Sequence, residues 1–415
     1  MQTQDEVVAT QLEKVAPNLQ RAYDIDDDFY GDVERRDVQV ISSRDMRIPL
    51  KMRPGGYFGY YSPNNGDLGT GGSTTYEKGV ITAIHLKHAI QWDLEAEIST
   101  DDKRKAVINN VQENISDAMD EFRRQSAAQC MTAGTGVLAT VTSVASSGGT
   151  DTVTCTTDGY GSKLLRFGQK VSVYDTGRTT NRTLSGPVTI TQVDYENSTF
   201  KIPSVSGITA TDVILPEGLT GSTPVGLYGV PYHASNASTG TWLGLNRATY
   251  PEIRASRVNA NSSSLAWAHG RLAVNKIANK VGSKKKFNPV ARMHPCQQQA
   301  YENLGQLVSV IQKQARDEKL NLYFEGFQLA GCPVKTSYLW DKKRIDFLIM
   351  EYWGRAVLKD VRWHTVGGRK LFEMRGPTGG VATSTVSYML ADWNLFHQNP
   401  AAGSYIDGLT VPDGY

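Results

Sequence analysis

Four stretches of the chain gather side chains that could do chemistry. In "HLKH", His85 and His88 would share a metal ion only on a helix, where positions three apart lie on one face; in a strand they point to opposite faces. The flanking residues alternate apolar and polar, so a strand is expected and chelation is not. In "MHPC", His294 stands two residues before Cys296, a pairing that serves nucleophilic catalysis when a third group orients the base. Both fall at the start of a predicted helix with no assignable acid, and ordinary structural roles are expected. Asp24, Asp26 and Asp28 are spaced like the first ligands of a calcium loop, but Phe29 stands where the turn glycine belongs and Arg35 where the bidentate Glu belongs. The basic run "KVGSKKKF", Lys280 to Phe287, could touch phosphate by charge alone and reads first as a solvated loop.

The common signatures are missing. No P-loop, no GxGxxG after a strand, no HExxH and no GxSxG occurs. Cys130, Cys155, Cys296 and Cys332 lie far apart without a CxxC pair, so buried free thiols are expected in place of a zinc knuckle or a redox dithiol. No catalytic, cofactor-binding or metal-binding residue is therefore assigned, and the expectation is a protein that is not an enzyme.

With 415 residues, 40% of them hydrophobic, the chain can bury a large core in roughly two to four modules. A formal net charge of +2 gives no global pull toward nucleic acid or anionic membrane, so any such contact must be local. The start "MQTQDEVVATQLEKV" has neither a basic opening nor an apolar signal core, and the run "FLIM" is far too short to cross a bilayer. No membrane association is expected.

Around these residues the elements read in order. Residues 1–45 form a charged, arm-like segment with the acidic knot "DIDDDFYGD". Strands "VQVISS" and "MRIPLKM" lead into "RPGGYFGYYSPNNGDLGTGGST", a glycine-rich excursion carrying Tyr57, Phe58, Tyr60 and Tyr61. The alternation from Val80 through Thr82, Ile84, Leu86 and His88 to Ile90 then predicts one long strand with these residues on one face. Residues 99–132 predict a long amphipathic helix with Ile108, Val111, Ile115, Met119 and Phe122 on its packing face and Ser99 or Thr100 as N-cap.

From Thr135 to Gly229 Ser, Thr and Gly dominate, and "GVLATVTSV", "DTVTCTT", "QKVSVYD", "GPVTITQVDY" and "STFKI" predict a self-contained β module. Two helices are then expected, one from serine caps to Gly282 and one with Pro295 in its first turn, before strands return in "RIDFLIMEYW" and "AVLKDVRWHTV". The body is thus α+β and brackets the β module.

This order of arm, glycine-tipped β excursion, long helix and mixed body resembles the major capsid protein of tailed bacteriophages, the Hong Kong 97-like fold. "GFQLAGCPVKTSYL" and "HQNPAAGSYIDGL" are similar to stretches that recur late in such proteins. The resemblance implies an N-terminal arm (1–45), an extended loop or E-loop with flanking strands (46–95), and the spine helix of a peripheral domain (96–134). It further implies an inserted β-barrel or sandwich domain (135–232), an axial domain (233–345), and return strands of the peripheral domain with a C-terminal axial segment (346–415).

Tyr57, Phe58, Tyr60 and Tyr61 would make intersubunit contacts, since aromatic rings bury much area while glycines let the tip adapt. The implied function is self-assembly into pentamers and hexamers of an icosahedral phage head enclosing double-stranded DNA. Implied partners are other copies of the chain, a portal, separate scaffolding or decoration proteins, and packaged DNA by non-specific contact, in the virion and in the host cytoplasm during assembly. Only about 45 residues precede the E-loop, so a separate scaffold or none is expected in place of a cleaved leader. Lys51, Lys78 and Lys87 could crosslink covalently as in some members, but no partner acid is identified and no crosslink is expected. An encapsulin-type nanocompartment is the alternative, although those chains lack the arm and insertion; a carbohydrate-binding or hydrolytic protein ranks below it for want of paired catalytic acids.

Overall fold

The computed structural model describes residues 28–36, 38–42, 45–60, 70–93, 103–156, 159–219, 226–282, 288–303, 328–370, 372–375 and 381–412. Asp24, Asp26, Ser99, Thr100 and Tyr61 lie outside them. Among the described residues the first element is a short helix, α1 (Asp28–Asp32). Phe29 and Tyr30 are buried; Phe29 meets Trp340 and Trp353 edge-on at 5.8 and 5.3 Å, and Tyr30 meets Trp393 at 5.4 Å. Asp32, the last acid of the knot, is neutralised by Arg292 and by Lys335 at 2.7 Å.

Strands β1 (Gln39–Val40), β2 (Asp45–Arg53) and β3 (Thr75–Thr82) form a three-stranded antiparallel sheet. After Ala83 the chain continues as β4 (Ile84–Asp93), which joins a different sheet. The single long alternation expected here is therefore broken. Gly79, Ile81 and Ala83 are buried in the first half, while Ile84 and Ile90 are buried in the second, so the inward face shifts by one residue at Ala83–Ile84. Two sheets with different cores demand that shift.

The long helix α2 (Lys103–Cys130) follows and packs on β4. Ile115, Ala118 and Phe122 are buried and Met119 is half-buried, as the 3.6-residue stripe requires. Ile108 and Val111 lie within the helix; their side chains fall outside the described residues.

Strands β5 (Ala139–Ser147), β6 (Thr150–Cys155), β7 (Lys170–Tyr174), β8 (Val188–Thr189), β9 (Gln192–Asp194), β10 (Thr199–Pro203) and β11 (Val213–Pro216) build the β module in the order β8-β7-β11-β5-β6-β10-β9. The two outer strands are parts of one stretch. Gly168 and Ile190 bond on one side of it and Thr191 bonds to Lys201 on the other, so the edges meet and the sheet closes into a small barrel. Val153, Val173, Phe200, Ile202 and Ile214 fill it. Gly148 and Gly149, at φ +58° and +77°, make the two-residue turn between β5 and β6, the left-handed pair whose twist matches a hairpin. The expected barrel strands all appear. β11, "VILP", was absent from the sequence reading because three successive buried residues, Val213 to Leu215, have no period of two.

Helix α3 (Val230–His233) and the pair β12 (Thr241–Trp242) and β13 (Leu245–Asn246) return the chain to the body. β14 (Ser256–Ser263), helix α4 (Trp267–Val281), β15 (Val290–Met293), helix α5 (Pro295–Glu302), β16 (Gln328–Leu329), β17 (Cys332–Thr336) and β18 (Ile345–Leu348) follow. The chain ends with β19 (Trp353–Trp363), β20 (Phe372–Arg375), β21 (Val381–His397) and β22 (Ser404–Leu409). A six-stranded sheet, β14-β22-β18-β15-β17-β16, carries α4 on its face. Here α4 starts at Trp267 and not on the serines, because Ser263 and Ser264 bond to Ala260 and Thr410; it ends at Gly282, as expected.

In the other large sheet β21 is the beam. β4 pairs along one edge of it, from Ile84 opposite Trp393 to Asp93 opposite Ser384, while β19 and β20 share the other edge. Where β3 meets this beam, the buried Asn394 donates through Nδ2 to the Thr82 carbonyl at 2.7 Å and accepts through Oδ1 from the Tyr228 N–H at 2.9 Å.

Two histidines are sealed nearby. His233 accepts from the Trp242 indole at 3.0 Å through Nδ1 and meets the Leu395 carbonyl at 3.3 Å through Nε2, so its neutral tautomer is fixed. Burial pushes His233 down to about 3 and holds His397 well below the ordinary histidine range. The unfolded chain therefore binds more protons than the fold below about pH 6.5, and stability present above that value is lost as pH falls. Between pH 7.5 and 5, above the range where carboxylates titrate, the urea midpoint should fall, with each histidine contributing a slope of up to about 1.4 kcal/mol per pH unit below about pH 6.5. Unmoved ring resonances of both histidines down to pH 5 would accompany it; a midpoint flat across that range would refute the burial argument.

Candidate functional site

β2 and β3 form the two sides of a projecting arm, paired from Asp45–Thr82 at the root to Arg53–Thr75 at the outer end, with one register shift between Lys51 and Arg53. The root is fixed. Met46, Ile48 and Ile81 pack with Trp242, Leu245 and Phe396, and the Val80 N–H donates to the Leu243 carbonyl at 2.9 Å. Arg53 reaches Glu252 at 2.9 Å, and the Tyr250 hydroxyl donates to Glu77 at 2.5 Å, which tethers the sides of the arm to the body.

Beyond Arg53 the ladder gives way to glycine contacts. The Gly56 N–H donates to the Gly72 carbonyl at 2.8 Å, and a Cβ on Gly55 would lie 2.6 Å from the Thr74 nitrogen, so only glycine lets the two sides approach. On this support Tyr57, Phe58 and Tyr60 stand 82, 92 and 97% exposed, with Phe58 and Tyr60 edge-on at 5.8 Å. Aromatic side chains this bare are unusual on a subunit's surface. Tyr76, 67% exposed, extends it down the arm.

The residues singled out for chemistry are put to structural use. His85 and His88 face opposite ways on β4: His85 Nδ1 bonds Asp392 at 2.6 Å, while the His88 ring lies 6.2 Å from that of Phe122. Burial lowers the His88 pKa, with the Glu121 charge opposing. His294 is the N-cap of α5, its Nδ1 accepting from the Cys296 N–H at 3.1 Å, and its Nε2 meets Lys163 of the barrel. Burial, with Lys163 and Lys342 beside it, pushes His294 down to about 3, and burial pushes the Cys296 thiol up to about 11. A thiolate–imidazolium pair is thus disfavoured from both sides. All four cysteines are free and buried. Among the described residues no group of three His, Cys, Asp or Glu could hold a metal ion.

What sequence reasoning missed is the anchoring of α1 in the core. Phe29 and Tyr30 sit in an acidic run that reads as solvated, yet Arg292 lies over Phe29 at 5.3 Å and Arg355 over Tyr30 at 4.4 Å. The adjacent aromatics in "DFYGD" were the available signal.

No family model and no curated protein matches the chain. Among solved structures it is similar to the subunit in the capsid asymmetric unit of cyanophage A-1(L), with 13% identity, 91% of this chain and 90% of that chain covered, and a TM-score of 0.52. The chain has the fold of a phage capsid subunit. Similarity also extends to the capsid of the native GTA particle, at 9% identity, 93 and 90% coverage and a TM-score of 0.44, and to the capsid of cyanophage P-SCSP1u, at 10%, 92 and 86% and 0.41. The α+β class expected from the order of elements is the class observed, and the similarity covers 91% of the chain.

The tip and root of the arm should respond oppositely to substitution. Replacing Tyr57, Phe58 and Tyr60 together by Ser should leave the melting temperature of the unassembled chain within about 2 °C of wild type, because exposed side chains contribute little to the fold. Ile81→Ala at the root should cost about 2–5 kcal/mol in denaturant unfolding. A large loss from the tip variant would mean that the rings serve their own chain.

Proposed function

We propose that the chain is the structural shell subunit of a phage head, assembling as pentamers and hexamers into an icosahedral container for double-stranded DNA. The observation that carries this reading is the arm: a packed root supporting an aromatic tip whose rings, among the described residues, stand exposed. Burying such rings against another copy supplies apolar area at the centre of a contact, and the glycines beside them let one tip serve five-fold and six-fold settings. Closed symmetry then multiplies many modest contacts into a stable shell. The reading requires no catalytic step.

In this reading the sheet of β4, β19, β20 and β21 with α2 serves as the peripheral domain, the six-stranded sheet with α4 as the axial domain, and the barrel as an inserted domain. The partners are other copies, a portal, separate scaffolding or decoration proteins, and packaged DNA; the location is the virion, with assembly in the host cytoplasm. Negative-stain microscopy with sedimentation on the chain expressed alone provides the test. Closed shells, or rings of five and six, are expected. A monomer that persists at high concentration and with a candidate scaffold would overturn the reading, and shells purified with protein cargo and no nucleic acid would favour a nanocompartment.

A further inference from the structure

Between Ile253 and Tyr301 the sequence contains no aspartate or glutamate, yet nine lysines and arginines fall there. That is a local charge of +9 in a chain whose total is +2, so the remainder carries −7. A merely solvated face mixes both signs, and this stretch does not.

The structure places part of that charge on one side of α4. Lys276 and Lys280, one turn apart, donate to the carbonyls of Arg257 at 2.6 Å and Arg254 at 2.8 Å. Arg254 itself donates to the carbonyls of Arg247 and Ser238. These three cations are held by backbone oxygens and not by carboxylates, so each keeps its charge for an outside partner. Arg257 is excluded because Asp407 neutralises it at 2.8 Å, and Glu252, which lines the same groove as Lys280, is taken by Arg53. Burial and then the charges of Arg254 and Lys276 lower the Lys280 pKa, the mark of like charges crowded without an acid between them. Arg271, Asn275 and Asn279 are exposed on the same helix and complete, with the lysines, roughly half of its circumference.

We propose that this face of α4, with Arg254 beside it, binds the phosphate backbone of double-stranded nucleic acid without reading its sequence. Lysine and arginine interleaved with asparagine are the donors that phosphate and sugar oxygens accept. A protein partner would need an apolar anchor at the centre of the patch, and the face offers only Leu272, half-exposed. The assignment deepens the shell reading by naming the surface turned to packaged DNA.

The test is fluorescence anisotropy of the unassembled chain with a duplex of about 30 base pairs across a salt series, in which each phosphate contact contributes about 0.9 to the slope. Arg271→Gln with Lys280→Gln should weaken binding about tenfold or more and reduce the slope by about 2. Arg271→Gln alone, at an exposed position that no hydrogen bond of the fold uses among the described residues, should reduce it by about 1 and guards against misfolding of the double variant. Wild-type affinity and slope in both variants would overturn the proposal, as would tighter binding of polyglutamate than of duplex to the same face. Binding is read without assembly, so failure here leaves the shell reading standing, and failure to form shells leaves this result interpretable.

Discussion

The arm is useful only if its root does not move, and one buried amide sits at that root. Asn394 takes the last carbonyl of β3 with its Nδ2 and the returning chain at Tyr228 with its Oδ1, so arm, barrel exit and central strand meet on one side chain. Leaving a buried backbone group unpaired costs about 1–3 kcal/mol, so an amide that bonds the Thr82 carbonyl and the Tyr228 and Leu395 N–H groups is costly to remove. Because Asn394 belongs to β21, whose two edges carry β4, β19 and β20, the arm inherits the stiffness of the whole sheet.

The same logic explains where the aromatic residues lie. Inside, tryptophans and histidines are boxed together, with His233 fixed between Trp242 and Leu395 and with Phe29 against Trp340 and Trp353. Outside, three aromatics crowd onto the glycine-supported tip. The interior set makes the body unyielding; the exterior set gives it something to press against.

Much of this was legible in the sequence because it follows from periodicity. The 3.6-residue stripe through Ile115 and Phe122 yields the helix, and alternation with turn residues yields the barrel strands other than "VILP". The exposure of Tyr57, Phe58 and Tyr60 was implied by their glycine-rich setting together with the resemblance of the element order. Less legible were features decided by partners far along the chain. The face shift at Ala83–Ile84 depends on β3 and β4 joining different sheets, and the burial of Phe29 and Tyr30 depends on tryptophans more than 300 residues away. The conversion of His294 from a candidate base into a helix cap needed Lys163 and the α5 backbone, neither of which spacing reveals.

The central claim is that the exposed tip finds its partner on another copy of the same chain. The most direct measurement is photo-crosslinking from a benzophenone side chain placed at Phe58, using a mixture of isotopically light and heavy protein at the concentration where assemblies form. The account predicts crosslinked peptides in which light and heavy chains are joined. Products confined to one chain, or no product from assembled protein, would contradict it.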